Sequence, residues 1–165
     1  MNMKNIILIG MPGAGKSTIG VLLAKSMLMD FADTDLIIQK KYSSALCEII
    51  RNYGTERFLE IENEVICKSD FYNCIVATGG SAVYGTEAMN KLRKNGTAVY
   101  LKVESQELEK RIKNIHTRGI AMKDGTSIAE LYAERAPLYE KYADITVNCT
   151  GLTAEQCVDE ILRLL

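Results

Sequence analysis

The sequence predicts an α/β fold, a five-stranded parallel sheet with helices on both faces. Three observations predict it. Short apolar runs alternate with stretches of helical period. The first run leads directly into a glycine-rich loop and then a helix. The chain has 165 residues, 47% hydrophobic and 25% charged, the size and balance of one globular domain able to bury a core.

Taken in order, residues 4–9 form a near-continuous apolar run, as a parallel strand buried on both faces requires. Residues 16–29 have helical spacing, with Ile19, Leu22, Leu23 and Met27 on one side. A short second strand fits 30–33. Short helices fit 36–41 and 44–52, and Gly54 opens a longer one to about residue 69. Cys74-Ile75-Val76-Ala77 reads as a buried strand that ends at Thr78-Gly79-Gly80. A helix over 87–94, a turn at Asn95-Gly96 and a strand over 98–101 follow. Residues 104–114 read as a helix, 116–126 as polar and aperiodic, 127–142 as a helix, 145–148 as a strand and 153–165 as a final helix. In such a sheet, ligands bind beyond the carboxyl ends of the strands.

Bulk properties exclude several classes. A formal net charge of −1 gives no electrostatic footprint for nucleic acid. No apolar run is long enough to cross a bilayer, and residues 1–9 lack the long apolar stretch of a secretory leader. The five cysteines, Cys47, Cys67, Cys74, Cys149 and Cys157, form no Cys-x-x-Cys pair and suit reduced thiols. The expected setting is the cytoplasm. The single histidine, His116, has no companion for a transition-metal site and reads as a solvated side chain in a polar loop.

The strongest local signal is Gly10-x-x-x-x-Gly15-Lys16-Ser17 after the first strand and before a helix. Such a loop curls its N–H groups around a phosphate and adds the positive end of the helix dipole. Gly13, Ala14, Gly15, Lys16, Ser17 and Thr18 are the expected nucleotide-binding residues. Lys16 would reach the β- and γ-phosphates, and the Ser17 hydroxyl would ligate Mg²⁺. With this loop, residues 1–165 read as one three-layer P-loop NTPase domain that takes ATP and Mg²⁺. Asp33-Thr34-Asp35 lies where the second strand ends. One acid could support the metal's water shell and the other orient or deprotonate an attacking hydroxyl; Asp35 fits a helix N-cap equally.

These residues together resemble the shikimate kinases. The resemblance runs nearly end to end, through residues 10–20, Phe31-Ala32-Asp33-Thr34-Asp35, Phe58, Ala77-Thr78-Gly79-Gly80, residues 95–101, and Glu134-Arg135-Ala136-Pro137-Leu138-Tyr139 with Ala143-Asp144. It implies ATP-dependent phosphorylation of the 3-hydroxyl of shikimate, in aromatic amino acid biosynthesis, by a monomer with no nucleic-acid or membrane partner. It assigns Mg²⁺ support to Asp33 with Ser17, and contact with the acceptor hydroxyl to Asp35. Gly79 and Gly80 would bring backbone N–H groups to the substrate, and Arg135 would hold its carboxylate. Arg111 would lie over the adenine ring. Arg118 would act from a flexible lid, about 116–126, on the transferring phosphate. Residues 36–69 would form the substrate-binding helical region.

Three positions depart from the family pattern. The family's Phe-Arg-x-x-Glu is here Phe58-Leu59-Glu60-Ile61-Glu62, so a cation expected to grip the substrate carboxylate is missing. Arg57 lies about 200° around the helix from that position and faces elsewhere. Ser81 stands where a third glycine is usual, and the lid lacks the proline that usually follows its arginine. These departures leave open a kinase for another hydroxylated metabolite, or a nucleotide-binding regulator without turnover.

Overall fold

The computed structural model describes residues 4–112 and 119–165. Five strands, β1 (Asn5–Ile9), β2 (Asp30–Asp33), β3 (Cys74–Ala77), β4 (Gly96–Lys102) and β5 (Ile145–Asn148), pair in the order β2-β3-β1-β4-β5. All four pairings are parallel. Every residue of β1 and β3 is buried. That explains why these strands read as unbroken apolar runs rather than as alternating ones.

The helices are α1 (Lys16–Met27), α2 (Thr34–Tyr42), α3 (Leu46–Lys68), α4 (Thr86–Lys94), α5 (Ser105–Arg111), α6 (Ile128–Tyr142) and α7 (Ala154–Leu164). The chain steps outward from β1 to β2 through α1, then back through α3 to β3 and through α4 to β4. Right-handed crossovers therefore put α1 on one face and α3, α4 and α6 on the other. In agreement, α1 packs against α7, and α3 packs against α4. The main core lies between these layers and includes Ile7, Leu8, Leu23, Ile75, Val99 and Ile161. A second, smaller core (Ile38, Ile49, Phe58, Ile61, Val65 and Ala121) holds α2 and α3 together.

Most element boundaries follow the sequence reading, and the exceptions have local causes. The helix expected from residue 36 begins at Thr34, because the Asp33 carboxylate caps it by accepting from Asp35 N–H at 2.9 Å and Leu36 N–H at 3.3 Å. The cap is thus Asp33, not Asp35. The helices read as 44–52 and 54–69 are both present: α3 is two helical segments that meet at a kink where Gly54 is non-helical (φ 80°, ψ 162°). Gly96 is not a turn residue: it opens β4 and pairs with Asn5. A short 3₁₀ turn, Ala82–Tyr84, was not foreseen. All five cysteines are free thiols, with Cys74, Cys149 and Cys157 buried.

Candidate active site

The sheet register assembles the site. Asp33 pairs with Ala77, and Ala77 pairs with Leu8. The three chain segments leaving these strands therefore emerge side by side at the carboxyl edge: Gly10–Gly15, Thr34–Asp35 and Thr78–Ser81. Thr78 ties two of them together, its N–H and hydroxyl both donating to the Leu8 carbonyl at 3.1 and 2.9 Å. One cleft is lined by Gly13, Gly15, Lys16, Ser17 and Thr18 from the loop and α1, and by Asp35, Gly79, Gly80 and Arg135 opposite. Residues separated by more than 100 positions are thereby brought together.

The loop has the conformation its glycines allow. Gly15 sits at φ 94°, ψ 14° immediately before α1, in a left-handed region where a side chain is strained. This turn aims the first N–H groups of α1 into the cleft. Ala14, also expected at the nucleotide, is buried behind the loop. Lys16 is buried and its ammonium donates to the Gly10 and Met11 carbonyls at 2.7 and 2.9 Å. Burial lowers its pKa to about 8, with Arg135 pushing the same way and Asp35 and Asp33 opposing. Arg111, at the end of α5, pairs with Glu107 and reaches the Gly13 carbonyl at 3.5 Å. It is thus held against the outer side of the phosphate loop. Arg118 and His116 lie outside the described residues.

Where the sequence leads one to expect Mg²⁺, Ser17 Oγ donates to Asp33 Oδ2 at 2.6 Å. One hydroxyl and one carboxylate are hard oxygen donors, and Mg²⁺ is usually held by one or two such groups together with phosphates and water. The pair fits that ion. Among the described residues no cluster of three or more His, Cys, Asp or Glu offers an all-protein cage.

Two acids lie on the side of the cleft opposite the phosphate loop. Asp35 is pushed up to about 6, first by burial and then by Asp33, with Lys16 opposing. Glu62, on α3, is only 1% exposed and is pushed up to about 7, first by burial and then by Asp35. The two acids meet above Gly79. A Cβ there would lie 2.7 Å from Asp35 Oδ1 and would overlap Glu62 Oε1. Gly79 is therefore required for this close approach. Its N–H is not turned to the cleft as expected: it donates to Thr34 Oγ1 at 3.0 Å. The Gly80 carbonyl accepts from Tyr139 Oη at 2.6 Å, which fixes the strand end against α6.

Arg135 is almost fully buried, so its charge needs partners. Its Nη2 donates to the Ala121 carbonyl, its Nε donates to Tyr84 Oη at 3.3 Å, and the guanidinium lies 5.3 Å from the centre of the Tyr84 ring. Tyr84 Oη in turn donates to Glu134. The part of the expected lid that is described, 119–126, is irregular and rests on this half of the site. Gly119 approaches Leu46 and Cys47 so closely that a Cβ would lie 2.6 Å from Leu46 Cβ, and Ala121 joins the second core.

Known proteins share this fold and much of this sequence. The shikimate kinase family model matches residues 12–165. A shikimate kinase of Thermodesulfovibrio yellowstonii is 36% identical over 164 residues, covering 98% of this chain and 94% of that protein. One from Francisella tularensis subsp. novicida is 39% identical over 166 residues, covering 98% and 94%. Among solved structures, the shikimate kinase from Acinetobacter baumannii in complex with shikimate superposes with a TM-score of 0.89 at 27% identity, covering 98% of this chain and 92% of that one.

The chain belongs to the shikimate kinase family. It is a small-molecule kinase, and the expected α/β fold with its parallel five-stranded sheet is the one observed. Against the family pattern, Leu59 is half-buried and packs against the second core. Arg57 faces solvent and pairs with Glu60 and Glu64 at 2.6 and 3.0 Å; it brings no charge to the cleft. Ser81 is buried in the cleft wall, and its hydroxyl donates to Glu62 Oε2 at 2.5 Å.

Sequence reasoning missed Glu62, Tyr84 and Tyr139. Glu62 left a signal: it shares a helix face with Phe58 and Val65, four residues before and three after, which are both buried. A carboxylate on an apolar stripe is a candidate for a site. Tyr84 lies in the unforeseen 3₁₀ turn and left none.

Proposed function

We propose that the chain transfers the γ-phosphoryl group of ATP to the 3-hydroxyl of shikimate, giving shikimate 3-phosphate and ADP. The observation that carries this reading is the cleft in which a phosphate loop, the Asp35 carboxylate and a buried arginine converge. The loop N–H groups and the α1 N-terminus would cradle the β-phosphate. Lys16 would exchange its two carbonyl partners for phosphate oxygens. Ser17 and Asp33 would hold Mg²⁺, which supplies charge neutralisation on the phosphates when bound. Arg111 would flank the adenine from the outer side of the loop.

Asp35 would accept the proton of the acceptor hydroxyl. Its pKa near 6 leaves it ionised at neutral pH yet still basic enough to serve. Arg135, pre-oriented by Tyr84 and Ala121, would hold the acceptor carboxylate with little reorganisation. Gly80 would contact the substrate through its backbone, and Gly79 would leave room for the two acids. Arg118 would come from the lid, residues 116–126, to the transferring phosphate. Residues 36–69 would form the acceptor-binding region. A monomer would suffice for these roles, since each is assigned to a residue of this chain, and five free thiols suit the reducing cytoplasm.

The test is an ADP-coupled assay with ATP, Mg²⁺ and shikimate, with the product identified by mass spectrometry. No ADP above background at millimolar shikimate would sink the reading. Leu59 favours a second reading, an acceptor that presents less negative charge to α3. A panel of hydroxylated metabolites in the same assay separates the two.

A further inference from the structure

Glu62 has an unusual set of neighbours. Its carboxyl is buried, and the charged or titratable groups around it are Asp35 from α2, Lys16 from α1, and Arg135 and Tyr139 from α6. From its own helix no cation joins it: the position one turn earlier is Leu59, and Arg57 is engaged at the surface. Among the described residues its one hydrogen bond is from Ser81 to Oε2. The other oxygen, Oε1, is buried without a hydrogen-bond partner among the described residues and crowds Gly79 beside Asp35. A buried carboxylate oxygen without a donor is costly and invites one.

Resting on the proposed kinase reading, we propose that Ser81 is a positioning residue for the acceptor: it pins Glu62 through Oε2 so that the bare Oε1 receives a hydroxyl of the substrate beside the one that Asp35 contacts. The Ser81–Glu62 pair then decides that the acceptor must be a polyol at this end, while its carboxylate lies toward Arg135. An anionic group would be repelled from the pair by both acids; a hydroxyl satisfies them.

Steady-state kinetics of Ser81→Ala, Glu62→Gln and the double variant, together with carbon-13 carboxyl NMR of Glu62, test this. Ser81→Ala should raise the KM for shikimate about tenfold, the usual effect of losing one buried hydrogen bond to a charged group, with kcat and the KM for ATP within about twofold. Adding Ser81→Ala to Glu62→Gln should change little more, because the serine acts through the glutamate. In the unliganded protein Ser81→Ala should raise the Glu62 titration midpoint, since the hydroxyl stabilises the charged form. An unchanged shikimate KM, or additive effects in the double variant, overturns the inference while leaving the kinase reading intact. If the wild-type chain turns over no shikimate, the kinase reading falls, and the NMR decides alone: an unmoved Glu62 midpoint overturns the pairing.

Discussion

Ser17 Oγ donates to Asp33 Oδ2 at 2.6 Å, joining the first turn of α1 to the end of β2. Asp33 does two things at once, since its other oxygen caps α2. Asp33→Asn should separate them. Asparagine caps as well as aspartate, so the melting temperature should hardly change, whereas Asp33→Ala should lose about 1 kcal/mol. Activity should fall at least about tenfold in Asp33→Asn and need more Mg²⁺ for half-maximal rate. A Mg²⁺ titration of activity, beside a thermal melt, checks both halves.

Asp35→Asn should lower kcat by roughly 10²–10⁴-fold, the range for loss of a general base. Affinity for an ATP analogue, measured by calorimetry, should stay within about threefold. A kcat near wild type would remove Asp35 from the role of base.

Gly79→Ala should lower kcat/KM for the acceptor by about 100-fold, because the new methyl group displaces Glu62 and Asp35 from each other's side. Nucleotide affinity should be preserved, as the phosphate loop lies across the cleft. Equal losses for both substrates would point instead to a general collapse of the strand ends.

Leu59→Arg should lower the KM for shikimate by about tenfold or more with little effect on that for ATP. Leu59 lies three residues before Glu62, so an arginine there would face the same side of α3. An unchanged KM would mean that this face of the helix does not meet the acceptor.

Glu62→Gln should change how stability depends on pH. The native pKa is raised from 4.5 to about 7, first by burial and then by Asp35. Between those values the folded state holds a proton that the unfolded chain has released, so stability falls as pH rises through that window. The variant should therefore be more stable than wild type at about pH 8 and nearly equal to it at about pH 4.5. Paired thermal melts at the two pH values measure the difference. A variant that is less stable at the higher pH would show that the ionised glutamate is well compensated in place.

The nucleotide half was legible because its chemistry is local. Gly10 to Ser17 are contiguous, and a loop of that composition between a strand and a helix has few other uses. The second strand's Asp33 and Asp35 were legible as a pair, but their division of labour was not. Which of them caps α2 depends on where the helix begins, and that follows from the hydrogen bonds that Asp33 makes after folding. The acceptor half was harder to read, since α2, α3, the 3₁₀ turn and α6 each supply one or two groups. Tyr84 meets Arg135 across 51 residues and Ser81 meets Glu62 across 19, and no periodicity or spacing encodes either contact.

The sequence by itself determined the layered sheet, the phosphate loop and so a nucleotide's phosphates as its ligand, because strand burial and loop conformation are set by near neighbours along the chain. Only the tertiary structure decided what becomes of the missing arginine. It set Leu59 against the second core, turned Arg57 to solvent, and left Glu62 with a serine hydroxyl as its hydrogen-bond partner. The reason is physical: a buried carboxyl takes whatever donor the packed fold brings within reach, and that is fixed by how distant segments meet rather than by the order in which they are joined.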